Sequence, residues 1–144
     1  MLIGSYQHTI DAKGRMFMPA RYRDELGDTF IVTKGLDRCL VVYSVDEFML
    51  LKQKVDALPI TNKNAREFTR FYFSGAAECT PDKQGRISIP QKLREYANLD
   101  KDVTVTGAST HAEIWNSAEW EKLESSLDEI DPDEMAEKMA DFGL

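Results

Sequence analysis

No stretch of this sequence approaches the ~18 apolar residues of a membrane span. Met1-Leu2-Ile3-Gly4-Ser5 also lacks the charged and hydrophobic regions of a signal peptide. A cytoplasmic protein with no membrane partner is therefore expected. Cysteine is scarce: Cys39 and Cys79 do not form a spaced pair, and in a reducing compartment they behave as small hydrophobes. His8 and His111 complete the soft metal ligands, and a zinc site would need the fold to gather four scattered side chains, so core or strand roles are the expectation. Gly-x-Ser-x-Gly, the P-loop Gly-Lys-Ser/Thr and His-Glu-x-x-His are all missing, so no catalytic residue, cofactor or metal is expected. Net positive charge is missing too: the chain carries −7, which taken alone disfavours a phosphate-rich partner through long-range repulsion.

What the chain does contain is a repeat. Asp11-Ala12-Lys13-Gly14-Arg15-Met16-Phe17-Met18-Pro19 returns as Asp82-Lys83-Gln84-Gly85-Arg86-Ile87-Ser88-Ile89-Pro90, with Asp, Gly, Arg and Pro all held at an offset of 71. Between the motif and the strands that follow it the offset becomes 72, aligning Thr33-Lys34-Gly35 with Val105-Thr106-Gly107 and Leu40-Val41-Val42-Tyr43 with Ala112-Glu113-Ile114-Trp115. His8 then falls on Cys79 and Cys39 on His111. Two copies of one unit imply two similar half-domains related by pseudo-symmetry.

Local chemistry draws one half as strand, basic turn, strand, short helix, two strands and a longer helix, and the other half repeats it. Asp-x-x-Gly-Arg reads as a turn, because Asp can bond the backbone two residues on and Gly can take positive φ. Period two then puts Met16, Met18, Ile87 and Ile89 inward and turns Arg15 and Arg86 to solvent. Pro19 and Pro90 suit the first position of a short helix whose inward residues are Tyr22 with Leu26 and Leu93 with Ala97. Ser44 with Glu47, and Asn116 with Glu119, have capping-box spacing. The helices they start carry the stripes Phe48, Leu51, Val55, Leu58 and Trp120, Leu123, Leu127, Ile130. Strands are expected over about 3–11, 15–18, 29–34, 39–43, 75–81, 86–89, 102–106 and 111–115. The segment 65–73 reads as a helix with a surplus of aromatics (Phe68, Phe71, Tyr72, Phe73) that would join the halves or join subunits. The organisation expected is a first half over 1–60, a linking aromatic helix over 61–74, a second half over 75–130 and an acidic tail over 131–144, in an α+β, mainly β, fold.

The charge is unevenly spread. Residues 117–144 hold ten acids and two bases, a local −8, so residues 1–116 carry +1. Within that part each motif carries +3: Lys13, Arg15, Arg21 and Arg23 against Asp11, and Lys83, Arg86, Lys92 and Arg94 against Asp82. A structural Asp–Arg ion pair closing a turn explains one copy of the motif. It does not explain why cations recur at four roughly equivalent positions in both, which favours DNA contact. The guanidinium fork suits phosphate or guanine O6 and N7, whereas Lys13, Lys83 and Lys92 suit phosphate.

Three features recur as a set along the chain: the early Gly-Ser-Tyr-x-His-Thr-Ile-Asp, the paired Asp-x-x-Gly-Arg motifs with Pro four residues after each Arg, and Phe-x-Phe-Ser-Gly-Ala at 71–76. In these features it resembles the bacterial MraZ proteins, built from two SpoVT/AbrB-like units. The resemblance implies two swapped-hairpin type β-barrel halves with flanking helices, subunits assembled into rings, and a nucleoid-associated regulator. Such a protein binds direct repeats of double-stranded DNA in the promoter of its own cell-division and cell-wall operon, usually as a repressor. It also carries the family's DNA-contacting arginines over to Arg15 and Arg86. The turn lysine shifts by one position between motifs (Lys13 against Lys83), so the halves are expected to read DNA unequally. The other readings weighed are a structural or adaptor ring without DNA readout, and an antitoxin-like module whose acidic tail holds a protein partner. A solvated face with acids at a helix N-terminus accounts for Asp131-Pro132-Asp133-Glu134 without any partner.

Overall fold

The halves trade strands. In the computed structural model, which describes residues 1–144, the first half supplies β1 (Ser5–Thr9), β2 (Arg15–Phe17), α1 (Ala20–Leu26), β3 (Phe30–Lys34), β4 (Leu40–Ser44) and α2 (Val45–Asp56). After α3 (Lys63–Ser74) the second half repeats the series: β5 (Ala77–Cys79), β6 (Arg86–Ser88), α4 (Gln91–Tyr96), β7 (Asp102–Gly107), β8 (Ala112–Asn116) and α5 (Ser117–Asp128). A last helix, α6, spans Pro132–Ala140. Six strands form one antiparallel sheet in the order β1-β7-β8-β4-β3-β5, and β2 with β6 forms a separate two-stranded ribbon. Thus β1 lies on the second half's β7, with Ser5 opposite Thr106, and β5 lies on the first half's β3, with Cys79 opposite Phe30. Within a half only the β3–β4 and β7–β8 hairpins pair, whereas β1, β2, β5 and β6 each take their strand partner from the other half. The fold is α+β, eight strands and six helices organised around this sheet.

Alternation sorts the strand residues into two faces. Phe30, Val32, Leu40, Val42, Val103, Val105, Ala112 and Ile114 point to one side, where Met16, Met18, Ile87 and Ile89 of the ribbon and Tyr22, Leu26, Leu93 and Ala97 of the short helices close over them as one buried core. Val41 and Trp115 point to the other side, and with Cys39 and Tyr72 they form a smaller cluster beneath α2, α3 and α5. At roughly 1.5–3 kcal/mol for each fully buried large apolar side chain, the shared core is the main reason the halves stay joined.

The caps at Ser44 and Asn116 form as expected on their N-cap side: Ser44 Oγ accepts from the Glu47 N–H (3.2 Å) and Asn116 Oδ1 from the Glu119 N–H (3.1 Å). Two local expectations need correcting. Pro19 and Pro90 are not the first helical residues but the N-caps, with extended ψ of 132° and 144°, because the chain is still leaving the ribbon there. The stripes of α2 and α5 lose the core at their C-terminal ends, where Leu58 and Leu127 are exposed; only Val55 is buried among the eight stripe residues. The aromatic surplus of α3 takes the first of its two expected roles and joins the halves. Tyr72 is buried, Phe68, Phe71 and Phe73 are half-buried, and the helix packs on Cys39 and Val41 of one half and Trp115 of the other. Phe73 meets Phe48 at 5.3 Å and Phe71 meets Tyr96 at 5.8 Å between ring centroids.

Candidate nucleic-acid interface

The repeated motif folds twice into one turn. Asp11 Oδ1 accepts from the backbone N–H groups of Lys13 and Arg15 (both 2.9 Å), and Oδ2 accepts from Arg15 Nε (2.8 Å). Asp82 does the same for Gln84 (2.9 Å), Arg86 N (3.0 Å) and Arg86 Nε (2.9 Å). The backbone N–H of Arg15, chiefly, holds the Asp11 carboxyl below the usual carboxylate range, and that of Arg86 does so for Asp82. Both aspartates are therefore ionised at neutral pH and steer their arginines. Gly14 and Gly85 close the turns at φ of +82° and +83°, the left-handed region where a Cβ is strained.

Each turn is locked by the other half. The Ile89 N–H donates to Gly14 O (2.8 Å) and the Met18 N–H to Gly85 O (3.2 Å). The guanidinium of Arg94 lies against Gly14 so closely that a Cβ there would stand 2.8 Å from its Cζ, and Arg23 has the same relation to Gly85. Arg94 Nε donates to Ile89 O (3.0 Å) and Arg23 Nε to Met18 O (3.2 Å). This pair of reciprocal clamps sets the ribbon, in which Arg15 faces Ser88, Met16 faces Ile87 and Phe17 faces Arg86. Met16 and Ile87 point into the core, so Arg15, Phe17, Arg86 and Ser88 form the outer face. Arg15 and Arg86 stand on the diagonal of that face, roughly 7–8 Å apart by strand geometry.

The eight cations singled out from sequence separate into three kinds. Arg15 and Arg86 are about one-third exposed (35% and 27% for the side chains), and each is tethered through Nε alone, leaving both terminal nitrogens without a partner in the chain. Lys13 and Lys83 in the turns, and Arg21 and Lys92 on α1 and α4, are exposed and pair with no acid. Arg23 and Arg94 are half-buried and hold backbone. Tethering by one nitrogen has a chemical use: it fixes the direction of a planar fork while its far edge stays available for two parallel hydrogen bonds to an acceptor pair.

Local pattern did not single out Phe17, which is 48% exposed in the middle of this polar face, although its position in phase with Arg15 on β2 was the available signal. The soft ligands are scattered: Cys79 lies in the central core, Cys39 in the outer cluster, and His111 Nε2 sits 3.7 Å from Glu113 Oε2. No three His, Cys, Asp or Glu side chains gather as a metal site. The acidic tail forms α6, capped by Asp131 Oδ1 on the Asp133 N–H (3.1 Å), with no buried residue. No helix is long and apolar enough to cross a membrane.

Comparison with known proteins accounts for both halves. The family model described as MraZ protein, "antitoxin-like", matches twice, over residues 1–71 and 72–143. Similar proteins include the transcriptional regulator MraZ of Alkaliphilus oremlandii, 54% identical over all 144 residues of both chains. Those of Carboxydothermus hydrogenoformans (52%) and Caldanaerobacter subterraneus (51%) are likewise matched over their full lengths.

Proposed function

Because this chain belongs to the MraZ family, we propose that it is a transcriptional regulator, not an enzyme, and that it binds duplex DNA by laying the β2–β6 ribbon in the major groove. One observation carries this reading: two pseudo-symmetric arginines, on the outer face of a two-stranded ribbon, each aimed by an aspartate with its fork left open. A major groove about 12 Å wide admits a two-stranded ribbon, and a fixed guanidinium fork matches guanine O6 and N7. Lys13, Lys83, Arg21 and Lys92 surround the ribbon as phosphate contacts, while Arg23 and Arg94 add positive charge from behind while holding the turns. The overall charge of −7 is no obstacle, because the acids are concentrated in residues 117–144. The operator consists of direct repeats upstream of the protein's own gene, bound by successive subunits of a ring, and occupancy represses that cell-division and cell-wall operon. A ring gains avidity from several repeats without new contacts. Leu36 in the β3–β4 turn, with Leu58 and Ile60 between α2 and α3, is the exposed apolar surface that assembly would cover.

A footprint on the DNA upstream of the gene tests the proposal directly. Arg15→Ala and Arg86→Ala should each weaken binding by about 1–3 kcal/mol while leaving the melting temperature and oligomer mass nearly unchanged. Arg15→Lys should bind but lose discrimination against a mutated operator if Arg15 reads bases, and keep it if Arg15 only holds phosphate. Affinity should fall steeply with salt as condensed counterions are released. Arginine variants that bind the operator like the native protein, or affinity that is flat across salt, would overturn the reading.

A further inference from the structure

The repeat is broken at one place on the ribbon's outer face. Position for position, Phe17 in β2 corresponds to Ser88 in β6, so the diagonal that crosses the Arg15–Arg86 one carries a large apolar ring at one end and a small hydroxyl at the other. Phe17 is directly opposite Arg86 and two residues from Arg15, hence on the same face as both guanidinium groups. Isolated exposed apolar residues are ordinary on a protein surface. An exposed phenylalanine between two aimed cations is not explained that way, because no aromatic ring pairs with it, no cation lies over its face, and the core beneath is already filled by Met16 and Ile87.

We propose that Phe17 is a specificity-determining residue that reads the 5-methyl group of a thymine in the major groove, so that the two halves of one subunit require different bases. The inference rests on the ribbon entering the groove as proposed above. Among the four bases only thymine offers an apolar group on its major-groove edge, and phenylalanine is among the side chains suited to touch it. With Arg86 across the ribbon taking a guanine, the Phe17 side of the site selects a thymine near that guanine. Ser88, opposite Arg15, can donate or accept and places no such demand.

The test replaces each thymine of the footprinted upstream duplex, one at a time, by deoxyuridine, which removes the methyl group and leaves the base pair intact. Native protein should lose about 4-fold in affinity at one thymine per bound repeat, the worth of one buried methyl. Phe17→Leu should keep that sensitivity. Phe17→Ser, which makes the two strands alike at this position, should bind the thymine duplex more weakly and respond equally to thymine and deoxyuridine, with melting temperature and oligomer mass unchanged. Native protein indifferent to every deoxyuridine, or Phe17→Ser retaining the sensitivity, would refute the assignment. A Phe17→Ser variant altered in oligomer mass but not in DNA affinity would place Phe17 at a protein contact instead. The same duplex assayed with Arg15→Ala and Arg86→Ala separates the two levels. If those variants bind normally, the ribbon does not enter the groove and both readings fall; if they bind weakly while deoxyuridine has no effect, only the role of Phe17 falls.

Discussion

Replacing Arg94 by alanine should weaken the fold, whereas replacing Arg15 should not, although both belong to the same basic motif. Arg94 Nε donates to the Ile89 carbonyl at 3.0 Å, and its guanidinium fills the space above Gly14 in the opposite half. A hydrogen bond from a charged donor is worth about 1.5–3 kcal/mol. The lower end applies, since Arg94 is only half-buried and water can reach the freed carbonyl. Packing lost above Gly14 adds a few tenths, giving a destabilisation of about 1.5–2.5 kcal/mol. Arg15 holds its aspartate at a side chain that is 35% exposed, and such a pair contributes about 0–1 kcal/mol. By pseudo-symmetry Arg23→Ala should cost nearly as much as Arg94→Ala, slightly less because its bond to Met18 O is 3.2 Å. Arg94→Lys should recover only part of the loss, because lysine has neither an Nε–H at that position nor a planar group to lie on the glycine. Urea unfolding followed by the fluorescence of Trp115 and Trp120, at one fixed protein concentration so that any assembly contributes equally, measures these differences. Arg94→Ala no less stable than Arg15→Ala would refute the clamp.

Three further outcomes are expected. Burial pushes the Cys39 thiol up to about 12 and the Cys79 thiol up to about 11, so a thiol reagent at pH 8 should react with neither until the protein is unfolded. Both folded values lie above the ordinary ~8.5, so the stability these thiols contribute is complete below that pH and drains away as pH rises through about 11 to 12, measurable by alkaline unfolding. For Asp11 and Asp82 the sign reverses: their lowered values make the turns' contribution complete above about pH 4 and lost as pH falls through the folded values. Acid unfolding of an Asp11→Asn, Asp82→Asn double variant should accordingly show a shallower pH slope than native protein, and an unchanged slope would count against the turn geometry. Deleting residues 132–144 removes a helix with no buried residue and should change stability by no more than about 0.5 kcal/mol. It also removes four acids and one base, so DNA affinity should rise at low salt and converge with that of the full chain at high salt. A large drop in melting temperature would show that α6 packs against another subunit.

Much of this protein is determined by short-range pattern, and the residues show why. Period two in Met16, Met18, Ile87 and Ile89 is enough to bury all four, because adjacent strand side chains must take opposite faces. Ser44 and Asn116 announce helix starts because their side chains satisfy backbone donors three residues away. The internal repeat announces two equivalent halves before any contact is known. What no local pattern contains is the partner across the molecule. Nothing near β1 says that it pairs with β7 rather than with a strand of its own half, and nothing near Arg94 says that it clamps the turn at Gly14. The same holds for α3, whose aromatic surplus read equally well as a bridge between halves or between subunits until the sheet supplied Cys39, Val41 and Trp115 beneath it. Those choices depend on which exchange of strands buries the shared core most completely. That burial is a property of the two halves together, so only the tertiary structure decides which cations hold the fold and which stand free at its surface.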